Sequence, residues 1–209
     1  MTGVVAHIDS VPPAAARLPD GGGRPLPRAP GWWGMLLFCT TEATLFLYFL
    51  GAWFYLRGTV VSFSAEGGRH PALAIPLTLT ALLVSSSFTL RWGEQGIRRG
   101  DTRQLTRGLL ITLVLGAAFL GLQATEYARE SHMPQTDAYW SAFYTITGFH
   151  GAHVLLGWLM LAFNLLRNTR GHFTAERHLA ITNGSMYWHT VDLVWIAIVS
   201  TLYLAPWLW

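Results

Sequence analysis

Six side chains in this sequence carry chemistry that a hydrocarbon setting would reject: Glu42, Glu126, His150, His153, His189 and Asp192, each in or beside a long apolar run. An ionised carboxylate at the centre of a membrane helix costs about 2.5–3.5 kcal/mol on insertion scales, so it needs a partner or a task. Glu42 stands roughly eleven residues into the first apolar run. At a rise of about 1.5 Å per residue that is mid-membrane. It reads either as a protonated acid bonded to a neighbouring helix or as a carboxyl with a proton-related role.

His150-Gly151-Ala152-His153 and His189-Thr190-Val191-Asp192 share a spacing of i, i+3. That spacing puts both imidazoles of the first motif on one helix face, and sets the carboxylate of the second where it can orient its ring. Polar faces on consecutive antiparallel helices suggest one shared network, which Glu126 joins from the outer end of the preceding run. Three histidines suffice for a zinc or copper site by number alone. Against a metal or haem, the sequence has no His-Glu-x-x-His or Cys-x-x-Cys-His element, and His150 and His153 lie on the same helix. Hydrogen bonding between helices is the favoured role for Glu126, His150, His153, His189 and Asp192, with no metal ligand expected. His7, His70, His132, His172 and His178 fall in the tail or loops and read as surface groups. Cys39, the single cysteine, excludes an intrachain disulfide and reads as a small core residue.

The elements that must position these groups are set by composition. Of 209 residues, 52% are hydrophobic and only 12% charged, against about 25% charged in an ordinary soluble domain. Five runs are long enough for a hydrocarbon core roughly 30 Å thick. They cover about 31–57, 71–91, 107–127, 139–167 and 183–206, with aromatic residues clustered at many of their ends. The fold class predicted is therefore all-α, an integral membrane bundle of five transmembrane helices over residues 31–209. Gly116, Ala117 and Gly121 mark the third run as one that permits close helix approach. Residues 1–30, with six prolines and Gly21-Gly22-Gly23, read as an extended cytoplasmic tail and lack the apolar core of a secretory signal. All fourteen basic residues are arginine, and with five spans eleven of them share the side of the N-terminus while Arg57, Arg69 and Arg129 face the other. The positive-inside rule then puts the N-terminus in the cytoplasm and the C-terminus outside. Arginines that flank apolar runs at a net charge of +3 argue against nucleic-acid binding.

Gly148-Phe149-His150-Gly151-Ala152-His153-Val154 and Tyr187-Trp188-His189-Thr190-Val191-Asp192-Leu193-Val194-Trp195 resemble the signatures of the cytochrome c oxidase subunit III family. Supporting stretches follow in the family's order: Trp33-Gly34-Met35 through Thr41-Glu42-Ala43, Leu82 to Ser87, Leu122 to Tyr127, and His172-Phe173-Thr174 with Arg177-His178. The resemblance covers about residues 31–209. It implies a non-catalytic subunit of an aerobic haem–copper oxidase in a bacterial inner membrane, beside catalytic subunit I and subunit II, which hold the haems and copper. It also implies bound phospholipids, support of proton uptake and of durability during turnover, and no cofactor on this chain; supercomplex membership stays open. By the same resemblance Glu42 corresponds to the family's buried, carbodiimide-reactive glutamate, and Arg167 to a basic position near lipid headgroups. There are departures. Many members have seven helices and this chain matches the last five, many carry an acid where Thr182 stands, and Thr190 replaces a phenylalanine.

Three other readings stand beside this one. The electron donor is not legible, so subunit III of a quinol oxidase or a homologue associated with nitric oxide reductases fits the same motifs. A small proton channel or transporter would use Glu42, His150 and His189 as a relay, but the polar residues are sparse for a continuous path. A membrane haem protein would use the histidines as axial ligands.

Overall fold

The computed structural model describes residues 29–60, 63, 73–129 and 137–207. The proline-rich tail expected over 1–30 lies, up to residue 28, outside them, as do Arg69, His70 and His132. Among the described residues the secondary structure is entirely helical: α1 (Pro30–Thr59), α2 (Ala74–Arg98), α3 (Thr102–Arg129), α4 (Ala138–Thr169) and α5 (Leu179–Val199). The chain then widens into a π turn over Ser200–Leu204 and tightens into a 3-10 turn at Ala205–Trp207.

Local chemistry sets the helix starts. Pro30 occupies the first turn of α1, where a missing N–H leaves nothing unbonded. Asp101 accepts from Gln104 N at 2.9 Å at the head of α3, and Asp137 accepts from Tyr139 N at 2.9 Å at the head of α4. The expected second and third spans were too short. Both continue through the arginine-rich stretch between them, so the connection shrinks to Arg99-Gly100-Asp101, with Gly100 at φ 83°. Only glycine adopts that backbone freely.

Four helices, α1 to α4, are long and apolar enough to cross a membrane. The fifth helix of the expected bundle is present and differs from these four in length and composition. α5 is shorter, with 21 residues, and carries Asn183, His189 and Asp192, which dilute its apolar character. It is also placed differently, packing on α1, α2 and α4. Apolar side chains face outwards on all of the helices: Leu47, Tyr48, Phe88, Val114 and Leu193 are all exposed. A bundle bathed in lipid has no reason to hide such residues.

α2 and α3 form the most extensive pair, and their approach is made by two glycines. A Cβ on Gly108 would lie 2.7 Å from Gly93 Cα and 2.8 Å from Thr89 O. The small residues expected to make such an approach, Gly116 to Gly121, do something else. Gly116 leaves room for the ring edges of Trp188 and Trp158, and a Cβ on Gly121 would meet nothing within 4 Å. Trp53, Trp188, Trp195 and Phe119 are wholly buried in the interior. Two of the indoles are bonded across helices, Trp188 Nε1 to Ser86 Oγ at 2.9 Å and Trp195 Nε1 to Thr80 Oγ1 at 3.1 Å, and Trp158 Nε1 donates to Leu113 O at 2.8 Å. Such pairing is what a medium without water requires of a polar group.

Candidate functional site

Rather than one shared network, hydrogen bonds place the polar residues in separate groups. The first joins α1 to α4. Glu42 Oε2 lies 2.7 Å from His153 Nε2, and His153 Nδ1 lies 2.7 Å from Phe149 O, four residues back on the same helix. A carbonyl can only accept, so Nδ1 carries a hydrogen. The proton between the ring and the acid then has two homes. Either Glu42 is protonated and donates to a neutral imidazole, or His153 is an imidazolium donating to a carboxylate. Both arrangements are neutral overall, which keeps an uncompensated charge out of the bundle. Phe46 stands edge-on to the His153 ring at 5.1 Å, and Tyr187 Oη donates to His153 O at 3.3 Å.

The second group joins α2 to α5. Ser87 Oγ lies 2.8 Å from His189 Nδ1 and in direct contact with Asp192 Oδ2. Ser87 has one proton, so the three form a chain with a direction. When Asp192 is ionised, Ser87 donates to it and His189 Nδ1–H donates to Ser87. When Asp192 is protonated, both bonds reverse and Nδ1 accepts. Moving one proton along the chain therefore changes the tautomer or charge of His189. Asp192 Oδ1 is buried and has no hydrogen-bond partner among the described residues.

His150 lines the same small cavity as Glu42 and His153 without a hydrogen bond to either. His150 is 1% exposed, and neither ring nitrogen has a hydrogen-bond partner among the described residues. Its ring stacks on Trp195 with centroids 4.8 Å apart and meets Phe46 and Phe119 edge-on. His150 and His153 share Phe46 as a neighbour but differ in hydrogen bonding, because i, i+3 still leaves about 60° between them on a helix of 3.6 residues per turn. Glu126 accepts from Gln123 Nε2 at 3.1 Å on its own helix. Arg167, in the last turn of α4, lays its guanidinium over Phe173 at 4.9 Å and Phe163 at 6.0 Å. The sulfur of Cys39 is buried in the core.

Sequence reasoning missed Ser87, Glu94 and Arg91. Ser85, Ser86 and Ser87 are consecutive, and each turns about 100° from the last. Spacing alone does not say which one meets α5. Glu94 had a clearer signal, an arginine four residues on. Its Oε1 takes Arg98 Nη2 at 2.7 Å and the Thr182 hydroxyl at 3.2 Å. Thr182, at the head of α5, thus meets a carboxylate supplied by α2.

The chain was also compared with known proteins. The family model described as cytochrome c oxidase subunit III matches residues 30–209. Cytochrome c oxidase subunit 3 of Thermostichus vulcanus is 35% identical over 172 residues, a match spanning 82% of this chain and 85% of the relative. The proteins of the same name from Coturnix japonica and Cyprinus carpio are 35% and 36% identical over 179 residues, with 82% of this chain and 68% of each relative covered. The matched stretch runs from the first turn of α1 through both polar groups, and the chain belongs to the cytochrome c oxidase subunit III family.

Proposed function

We propose that this chain is the non-catalytic subunit III of an aerobic haem–copper oxidase, and that its Glu42–His153 pair serves proton handling rather than cofactor binding. Family membership makes it an accessory integral membrane subunit of an oxidoreductase complex, in association with other oxidase subunits. The finer reading adds catalytic subunit I and subunit II as its neighbours, with the haems and copper on them. α5 is the fifth span, which puts the N-terminus in the cytoplasm and the C-terminus outside in a bacterial inner membrane. Arg167, at the cytoplasmic end of α4, meets phospholipid headgroups.

The observation that carries the proton reading is the 2.7 Å bond between Glu42 and His153, with Phe149 O fixing a hydrogen on the other ring nitrogen. A pair that is neutral in both of its forms can take up a transient charge and return it with little rearrangement. The ring nitrogens of His153 are both engaged, so metal ligation would have to break one of these bonds.

Glu42→Gln tests this. Glutamine keeps a donor for His153 Nε2 and removes the exchangeable acid. The purified oxidase is expected to keep its haem content but to take up protons more slowly or to inactivate sooner during turnover. Unchanged proton uptake and lifetime would refute the proton role, and loss of haem would refute the peripheral placement of this chain.

A further inference from the structure

Between α2 and α5 lies a half-open cavity of about 290 Å³ lined by Arg91, Glu94, Gln95, Arg98 and His189. Its charges do not balance. Glu94 is committed to Arg98 and to Thr182. Arg91 has no acidic partner among the described residues, and Gln95 adds amide hydrogens. Ser87 engages His189 Nδ1 and leaves Nε2 for the cavity. Donors therefore outnumber acceptors, and the unmatched charge is positive, as an anion with several acceptor oxygens requires.

The cavity continues into an apolar surface. Phe88, one turn before Arg91 on the same face of α2, is 70% exposed, and Leu193, one turn after His189 on α5, is 68% exposed. Ile196 extends this strip on α5. A cationic pocket at the arginine-rich end of a span, followed along the helix by uncovered apolar side chains, fits an amphiphile. A free anion would make no use of the strip.

We propose that this cavity binds the phosphodiester headgroup of an anionic phospholipid, with an acyl chain lying over Phe88 and Leu193. Arg91 is the unpaired charge for the phosphate, and Glu94 holds Arg98 so that its remaining N–H groups line the pocket. The site is separate from Arg167 and independent of the Glu42–His153 pair.

The test uses the assembled oxidase, stripped of lipid in mild detergent and titrated with phosphatidylglycerol, phosphatidylcholine or inorganic phosphate, with native mass spectrometry counting bound molecules. Wild type is expected to retain a phosphatidylglycerol that phosphatidylcholine does not replace. Arg91→Gln should weaken it roughly tenfold, the loss of one charge-assisted contact. Arg99→Gln, which removes the same charge from an exposed position outside the cavity, should not. Phe88→Ser should weaken the lipid as well. Equal binding by the Arg91 and Arg99 variants overturns the proposal. So does displacement by inorganic phosphate with no lipid retained, which would make a free anion the occupant. Protection of the thiol of a Gln95→Cys variant from alkylation by a neighbouring subunit, in lipid-free complex, would make this face a protein interface and overturn it equally.

Discussion

Glu42 on α1 and His153 on α4 share a single proton across 2.7 Å, because Phe149 O already fixes the hydrogen on the far side of the ring. Residues 111 positions apart in the chain are joined by a bond whose polarity reverses without changing its net charge. Glu42→Ala is expected to leave His153 Nε2 unmatched and to cost about 1–3 kcal/mol, while Glu42→Gln costs less. Thermal unfolding of the purified complex in detergent measures the difference. Equal melting of the two variants would show that this bond does not hold α1 to α4.

Ser87 is the connector between His189 and Asp192, so Ser87→Ala removes two bonds at once and leaves polar atoms of both residues without partners. The expected loss is about 1–3 kcal/mol for each buried group stranded. Retention of this chain by the oxidase during detergent washing reports it. Ser85→Ala, at an exposed position two residues away, should behave as wild type.

His150 makes a prediction of the opposite sign. Its nitrogens are buried and unpartnered, and its ring sits among aromatic rings. His150→Phe keeps the stacking on Trp195 and removes the cost of enclosing two polar atoms, so it should be neutral or stabilising. His153→Phe should destabilise. If His150→Phe instead leaves a stable complex with reduced activity, His150 has a chemical task.

Gly108→Ala drives a methyl group into the backbone of α2 at Gly93, where nothing flexible can move aside. An overpacked contact of this kind costs about 1–3 kcal/mol. Gly121→Ala, with open space around it, is the control. A lower melting temperature for Gly108→Ala alone is the expected result.

The helices were legible in the sequence because apolar runs and flanking arginines are one-dimensional signals. The residues worth watching were legible too, since an acid or imidazole in such a run stands out by type. Their partners were not. Which of three consecutive serines meets α5, or whether His150 faces its neighbour motif or a tryptophan, depends on helix rotation and crossing. Those are set by contacts such as Gly93 against Gly108, far from the residues themselves. The hidden role of Glu94 follows the same logic, since an i, i+4 pair with Arg98 looks like a solvated face until α5 is laid over it.

The polar groups of α5 find their partners on earlier helices: Asn183 on Gly31 O, Thr182 on Glu94, Trp188 on Ser86, and His189 and Asp192 on Ser87. On the five-span reading this has a bearing on biogenesis. α2 and α3, joined by three residues, meet as soon as both have been made, whereas α5 enters last and carries Asn183, His189 and Asp192. Its entry is favourable once α1 and α2 stand ready to receive it, so a misfolded early half would leave α5 stranded at the membrane surface.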